Sequence, residues 1–291
     1  MFEYAFMNHA FIAGMVLGAA IPCIGVIVVL KRLSMMGDAL SHASLAGVAG
    51  GLIAGVDPVA GSVVACLAAA GAIELVRKRF EGHAELAIAI VMSCGVGLAG
   101  VLSGFVPSAA SFSSFLFGSI VAVRDDELVS VAAVGVAVLV AYILLRRQLF
   151  LVALDERAAR LAGVRVNAMS VLFAVLTALT VAVGARTVGA LVVSSMMVVP
   201  VACALQVARS WRQTILVSCA TGLAITAVGL VLSFELGFKP GGTIVLVGVV
   251  LLAGIIATKA ALQRVHGRGA MRRAARPDTR AGEVRNDPVE H

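Results

Sequence analysis

Asp38 and His42 stand four residues apart inside a stretch that otherwise reads as a membrane-spanning helix, Ser34-Met35-Met36-Gly37-Asp38-Ala39-Leu40-Ser41-His42-Ala43-Ser44-Leu45-Ala46-Gly47. At that spacing the two side chains share one helix face, one above the other. An ionisable group at membrane depth is expensive, so it faces a protein interior or a water-filled path and usually has a task there. A carboxylate beside an imidazole is the ligand set of zinc, manganese or iron(II). An interhelical hydrogen bond or a proton relay would use the same two residues, and spacing alone leaves the choice open. Beside the pair runs a ladder of small residues, Ala39, Ala43, Gly47 and Gly51, which would let another helix pack closely.

Other candidates are weaker. His42 is the one histidine within an apolar run; His9 precedes the first, His83 follows a basic loop, and His266 and His291 lie near the C-terminus. His83 and Glu85 offer two ligands in a loop, a thin basis for a metal exit point. Glu74 is better explained by pairing with Arg77 or Lys78. Met196 and Met197 follow Ser194 and Ser195, but adjacent methionines point to different helix faces and read as packing. The five cysteines (Cys23, Cys66, Cys94, Cys203, Cys219) are scattered through apolar runs without a Cys-x-x-Cys spacing and read as small buried hydrophobes. There is no Gly-Lys dipeptide and hence no ATP-binding P-loop, no His-Glu-x-x-His and no Gly-x-Ser-x-Gly. An enzymatic reading finds no nucleophile with a base at a recognised spacing.

The elements that must hold Asp38 and His42 follow from composition. Of 291 residues 60% are hydrophobic and 13% charged, with mean hydropathy +1.04, against about a quarter charged in soluble domains. The chain is an all-α polytopic membrane protein. Runs of the ~20 residues a span requires fall at 10–30, 33–56, 59–76, 86–105, 128–145, 166–185, 187–208, 213–234 and 242–262, which predicts nine transmembrane helices, or eight if one boundary shifts. With the N-terminus outside and the C-terminus inside, only Arg124, Arg186 and Lys239 of the 23 Lys and Arg residues lie outside. The net charge of +7 is thereby spent on topology and is no signature of nucleic-acid binding. Residues 1–265 read as one membrane domain and 266–291 as a disordered, basic cytoplasmic tail.

Two connections exceed the others. Residues 106–127 lie outside, too apolar for a free loop and too short for a span, which suggests a re-entrant or interfacial segment. On the inside, Leu154-Asp155-Glu156-Arg157-Ala158-Ala159-Arg160-Leu161-Ala162-Gly163 has acids first, Arg160 later and Gly163 last, the marks of a short charged helix. Its apolar side carries Leu154, Ala158 and Leu161, and it reads either as a solvated connector or as a docking helix for a cytoplasmic partner.

The segment 37–49 resembles the signature of the membrane subunits of bacterial ABC importers for zinc, manganese and iron. Phe115-Leu116-Phe117-Gly118-Ser119-Ile120, Thr187-Val188-Gly189-Ala190-Leu191-Val192-Val193 running to Pro200, and Pro240-Gly241-Gly242-Thr243-Ile244-Val245-Leu246 resemble further motifs of that family in the same order, over residues 10 to 260. The resemblance implies a homodimeric permease with the helical fold shared with vitamin B12-type importers. It implies cytoplasmic ATP-binding subunits and an extracytoplasmic metal-binding protein as partners. It implies that Asp155, Glu156, Arg157, Ala158, Ala159, Arg160, Leu161, Ala162 and Gly163 form the helix that docks into the ATPase. It also implies metal passage at Asp38 and His42, with no permanently bound cofactor. Ser34-Met35-Met36 and Ser194-Ser195 look most like the zinc branch, so zinc is expected first, with manganese or iron(II) as alternatives. The basic stretch beyond Leu262 goes past the shared core. The competing readings are a proton-coupled transporter, with Asp38 and His42 as the relay, and a scaffold subunit in which Asp38 is replaceable.

Overall fold

In lipid every backbone polar group must be satisfied within the protein, which leaves a chain of this composition little choice but helices. The computed structural model describes residues 5–80, 83–107, 109–118 and 125–274, and among them there is no strand. In chain order the helices are α1 (Ala5–Leu30), α2 (Met36–Ala54), α3 (Pro58–Arg79), α4 (Ala84–Ser103), α5 (Ala109–Phe117), α6 (Asp125–Leu154), α7 (Glu156–Leu161) and α8 (Val166–Gly184). A π-helical turn, Ala185–Gly189, then leads into α9 (Ala190–Val207), followed by α10 (Trp211–Leu236) and α11 (Pro240–Ala274). The chain divides into Met1–Leu252, which holds every residue discussed below, and Ala253–His291. Helix α11 continues through His266 to Ala274; residues 275–291, with most of the expected tail, lie outside the described residues.

Among the described residues seven helical stretches are long and apolar enough to cross a membrane. One of them, Val166–Val207, holds both α8 and α9, and α2 is not among the seven because Asp38, Ser41, His42 and Ser44 dilute its apolar content. The nine apolar runs of the sequence thus correspond to nine long helices among the described residues, two of which are joined end to end and one of which is too polar to face lipid alone. The outward faces are apolar: Leu75 on α3, Leu98 on α4, Leu144 on α6 and Val250 on α11 are all exposed. A surface that covers itself with large aliphatic side chains is one whose solvent is lipid. The chain is a multi-pass membrane protein.

The interior forms around α1, whose Leu17, Ile21, Ile24 and Ile27 are buried against α6, α9 and α10. Cys23 on α1 and Cys219 on α10 meet inside this seam, their sulfurs 3.0 Å apart. Cys66 and Cys203 are also buried, whereas Cys94 is exposed on α4, against the expectation that all five would be interior. The thiol pair provides a check of the packing. Treating membranes with a thiol-specific two-electron oxidant such as diamide is expected to link Cys23 to Cys219, since the sulfurs need approach by only about an ångström. Mass spectrometry should then recover the α1–α10 linked peptide, with Cys66 and Cys203 still reduced.

Three glycines far apart in sequence meet at the end of the bundle opposite Lys31 and Arg77. Gly118 follows α5 at φ 73°, Gly189 precedes α9 at φ 104°, and Gly241 opens α11. A Cβ on Gly118 would collide with the Val188 carbonyl oxygen, one on Gly189 would lie 2.6 Å from Gly118 N, and one on Gly241 would collide with the Phe117 carbonyl oxygen. Backbone here rests on backbone. At the same end the Arg186 guanidinium lies 4.8 Å from the Phe115 ring centre, and the Lys239 ammonium 4.5 Å from that of Phe117. Helix α5 is thus seated on the protein rather than left as a free loop.

Candidate functional site

Of the eleven residues from Met36 to Ala46, nine are buried, and the two that are not are Asp38 and His42. Both sit in the first two turns of α2, on the aspect left uncovered there. Neither makes a hydrogen bond or an ion pair among the described residues. Asp38 is in the first turn, where a carboxylate gains from the helix dipole, yet it does not cap the helix: the residue before α2, Met35, has no side-chain cap either. The pair is therefore not consumed by packing or by local hydrogen bonding. It presents a carboxylate and an imidazole to whatever lies against that surface.

Three of the elements packed on α2, namely α3, α4 and α9, hold it most closely around the pair. Helix α3 comes so close that a Cβ on Gly47 would collide with the Gly61 carbonyl oxygen and lie 2.6 Å from Ala65 Cβ. Ser44 Oγ is 2.7 Å from Ser62 Oγ, and the Cys66 thiol donates to the Leu40 carbonyl at 3.4 Å, so polar contacts also join α2 to α3. Gly51 lies over Pro58, just after the turn where Asp57 caps α3 by accepting from Val59 N and Ala60 N. Helix α4 crosses at His42 itself: a Cβ on Gly95 would be 3.0 Å from Ala43 N and 3.4 Å from His42 Cβ. Helix α9 reaches Gly37, with Met197 Sδ 3.1 Å from where its Cβ would be. Met196 and Met197 are both buried, packing groups rather than exposed sulfur ligands. Gly95 and Gly61 escape a reading of the sequence because nothing local distinguishes them from other glycines of an apolar helix.

Among the described residues no three of His, Cys, Asp and Glu come together as a metal cluster. His83 precedes α4 and Glu85 lies in its first turn, without a third ligand. Asp38 and His42 by themselves are two groups of ligand type, fewer than a transition metal takes.

The predicted charged helix is present as α7. Asp155 is its N-cap, accepting from Arg157 N at 2.7 Å and Ala158 N at 3.2 Å; Glu156 lies in the first turn, Arg160 in the last, and Ala162 and Gly163 (φ 81°) close it. Ala159 is buried against Val152 and Val166, while Leu154, Arg157, Ala158, Arg160 and Leu161 are exposed, Leu161 at 91%. A six-residue helix is marginal by itself, so its cap matters. Asp155→Ala is expected to cost α7 about 1 kcal/mol, read as roughly fivefold faster hydrogen exchange at the amides of residues 156–161 and no change in α3 or α8.

Glu156 points the other way, into a charged net. Its Oε1 is 3.2 Å from Arg77 Nη1 and 3.7 Å from Lys31 Nζ. Arg77 also pairs with Glu74 at 3.0 Å, the pairing expected for that acid. Lys31 donates to Ser170 Oγ on α8 at 3.3 Å. Burial pushes the Lys31 ammonium below the ordinary lysine range, and Arg77 adds to this, while Glu156 and Glu74 oppose it.

The chain as a whole has known counterparts. Residues 3–259 match the ABC 3 transport family. A "Probable metal transport system membrane protein" of Treponema pallidum (strain Nichols) is 38% identical over 259 residues, covering 88% of this chain and 97% of the relative. The manganese import system permease protein ScaB of Streptococcus parasanguinis is 32% identical over 259 residues (88% and 92%), and the chelated iron transport system membrane protein YfeC of Yersinia pestis 29% over 244 residues (84% and 83%). Among solved structures, PsaBC from Streptococcus pneumoniae in complex with Fab superposes with TM-score 0.78 at 30% identity, covering 87% of this chain and 91% of that one. An inward-facing ABC transporter of metal-chelate type, at TM-score 0.69 and 17% identity over 86% and 85%, shares the fold. A match that takes in all but the two ends of the chain, together with a relative this similar over nearly its full length, places the protein: it belongs to the ABC 3 transport family.

Proposed function

We propose that the chain is the membrane permease subunit of an ATP-driven importer of a divalent transition metal, working as a homodimer in a bacterial cytoplasmic membrane. The observation that carries this is the exposure pattern of α2: its first eleven residues are buried except for one carboxylate and one imidazole. Two copies related by a two-fold axis would bring two Asp38 and two His42 side chains together, the four ligands that one copy lacks. The end carrying Lys31, Arg77 and α7 is assigned to the cytoplasm by its excess of basic residues. There the exposed Leu154, Ala158 and Leu161, flanked by Arg157 and Arg160, form the face for a separate ATP-binding subunit. A hollow lined by Arg160, Gly163, Arg165 and Asn167 extends that face. The opposite end, with α5, would receive the metal from an extracytoplasmic binding protein.

Carboxylate with imidazole accepts zinc, manganese and iron(II). The names of relatives, manganese for ScaB and chelated iron for YfeC, support manganese or iron ahead of the zinc expected from the residues flanking the motif. The test is uptake of radiolabelled manganese, zinc and iron(II), one at a time, by cells carrying the chain with and without a co-expressed ATP-binding subunit. The expected result is entry of one of these metals that needs the ATPase and survives collapse of the proton gradient. Entry that needs only the proton gradient would replace this reading with a secondary transporter.

A further inference from the structure

The charged net at the α7 end has a shape that stability does not explain. Lys31, Glu74, Arg77 and Glu156 have side-chain exposures of 6, 12, 21 and 37%, and they come from the turn after α1, from α3 and from α7, with Ser170 of α8 attached through Lys31. Charges so far removed from water persist only when paired, and an apolar cluster of the same volume would hold four helices together at least as well. What an ion-pair net provides and an apolar cluster does not is fixed partnership: one carboxylate tied to two particular cations.

The two cations lead to α2. Lys31 is followed by Arg32, which at φ 57° is the only non-glycine residue with positive φ among the described residues. A left-handed arginine is a strained position that persists only where its surroundings enforce it. Four residues later α2 begins, and Asp38 is in its first turn. Arg77 lies in the last turn of α3, the helix whose Gly61 backbone rests against Gly47 of α2. Glu156 is thus tied on one side to the strained turn that starts α2 and on the other to the helix packed along it. The remaining exposed residues of α7 face away and are free for a partner.

We infer that Glu156 is a positioning residue that transmits displacement of α7 to Asp38 and His42, through Lys31 and the Arg32 turn and, in parallel, through Arg77 and α3. This rests on the reading of the chain as a permease driven by an ATP-binding subunit. When the ATPase moves α7, the carboxylate carries both cations with it, the turn at Arg32 takes up the rotation, and the first turns of α2 shift together with their two ligands. Glu156 makes no contact with metal; its part is to convert hydrolysis into movement of the site.

The test uses the complete complex of this chain with its ATP-binding subunit in proteoliposomes supplied with the extracytoplasmic metal-binding protein, reading ATP hydrolysis and entry of manganese, iron(II) or zinc on the same preparation. In Glu156→Gln, which keeps shape and removes charge, hydrolysis is expected to stay within about twofold of wild type while metal entry per ATP falls at least about tenfold. Glu156→Asp, which keeps the charge on a shorter arm, is expected to restore a good part of the entry. Lys31→Gln cuts the same net without touching α7 and must show the same split, which also keeps the test decisive if Glu156→Gln does not assemble. Unchanged metal entry per ATP, or hydrolysis and entry falling in step, would overturn the inference, the latter by making Glu156 a docking residue only. A wild-type complex without ATP-dependent metal entry would instead remove the functional reading beneath it, an outcome visible before any variant is compared.

Discussion

Metal uptake by Asp38→Ala or His42→Ala is expected to fall at least about a hundredfold, with the protein's membrane abundance within about twofold of wild type. The first part follows from ligand count. Loss of a residue that merely supports a metal ligand already costs 10–100-fold in affinity, and either substitution would remove two of the four ligands of the proposed dimer site at once. The second part follows from the structure. Neither side chain has a hydrogen bond or an ion pair to lose among the described residues, and both are only half-buried. Asp38→Ala gives up at most the favourable placement of an acid in a first helical turn, about 0.3–1 kcal/mol, and alanine is the better helix former at both positions. Because the two residues would act on one ion, Asp38→Ala with His42→Ala is expected to be no worse than either alone. Uptake assayed at matched abundance checks this, and near-normal uptake in both single variants would take the pair off the metal path.

Gly189→Ala is expected to have the largest effect on folding. Two penalties coincide there. At φ 104° an alanine is strained regardless of its surroundings, and its Cβ would lie 2.6 Å from Gly118 N and from Phe117 C and 2.8 Å from Leu116 O. These are backbone atoms, which cannot rotate aside as a side chain would. Strain of about 1–3 kcal/mol and overpacking of about 1–3 kcal/mol together reach, at their upper end, the lower end of a domain's whole stability, about 5 kcal/mol. The expected outcome is little or no folded protein in the membrane, measured as abundance and as the thermal transition of detergent-solubilised material. Gly71→Ala is the matched control, since nothing lies within 4 Å of a Cβ there; it should be tolerated and slightly stabilising. If Gly189→Ala accumulated and melted like wild type, the close seating of α5 on the π-helical turn would be wrong.

How much of this was readable from the chain varies by element. The run 33–56 was legible as a helix with an acid and an imidazole on one face, because both statements depend only on helical period. That the pair is what remains uncovered between Met36 and Ala46 was not legible, since it depends on α3, α4 and α9 arriving from elsewhere and stopping short of that one aspect. The charged helix α7 announced itself through Asp155, Arg160 and Gly163, all local signals. The inward turn of Glu156 towards Lys31 and Arg77 did not, because those partners lie 125 and 79 positions away. The count of nine apolar runs matched nine long helices among the described residues, but composition could not tell that α8 and α9 would be joined by a π-helical turn or that α2 would need shelter from lipid.

The sequence by itself determined the helical class, the membrane solvent, the nine long segments, the Asp38–His42 pair and the charged helix at 155–163. Each of these rests on composition or on spacing within one or two turns, where the physics is local. Tertiary structure alone decided which face of α2 stays open, that Gly95 sets the approach at His42, and that Gly118, Gly189 and Gly241 form one junction. It also decided that Glu156 joins the charged helix to α1 and α3. Those are close contacts between distant parts of the chain, settled by how near one backbone can come to another, and a linear pattern carries no record of that distance.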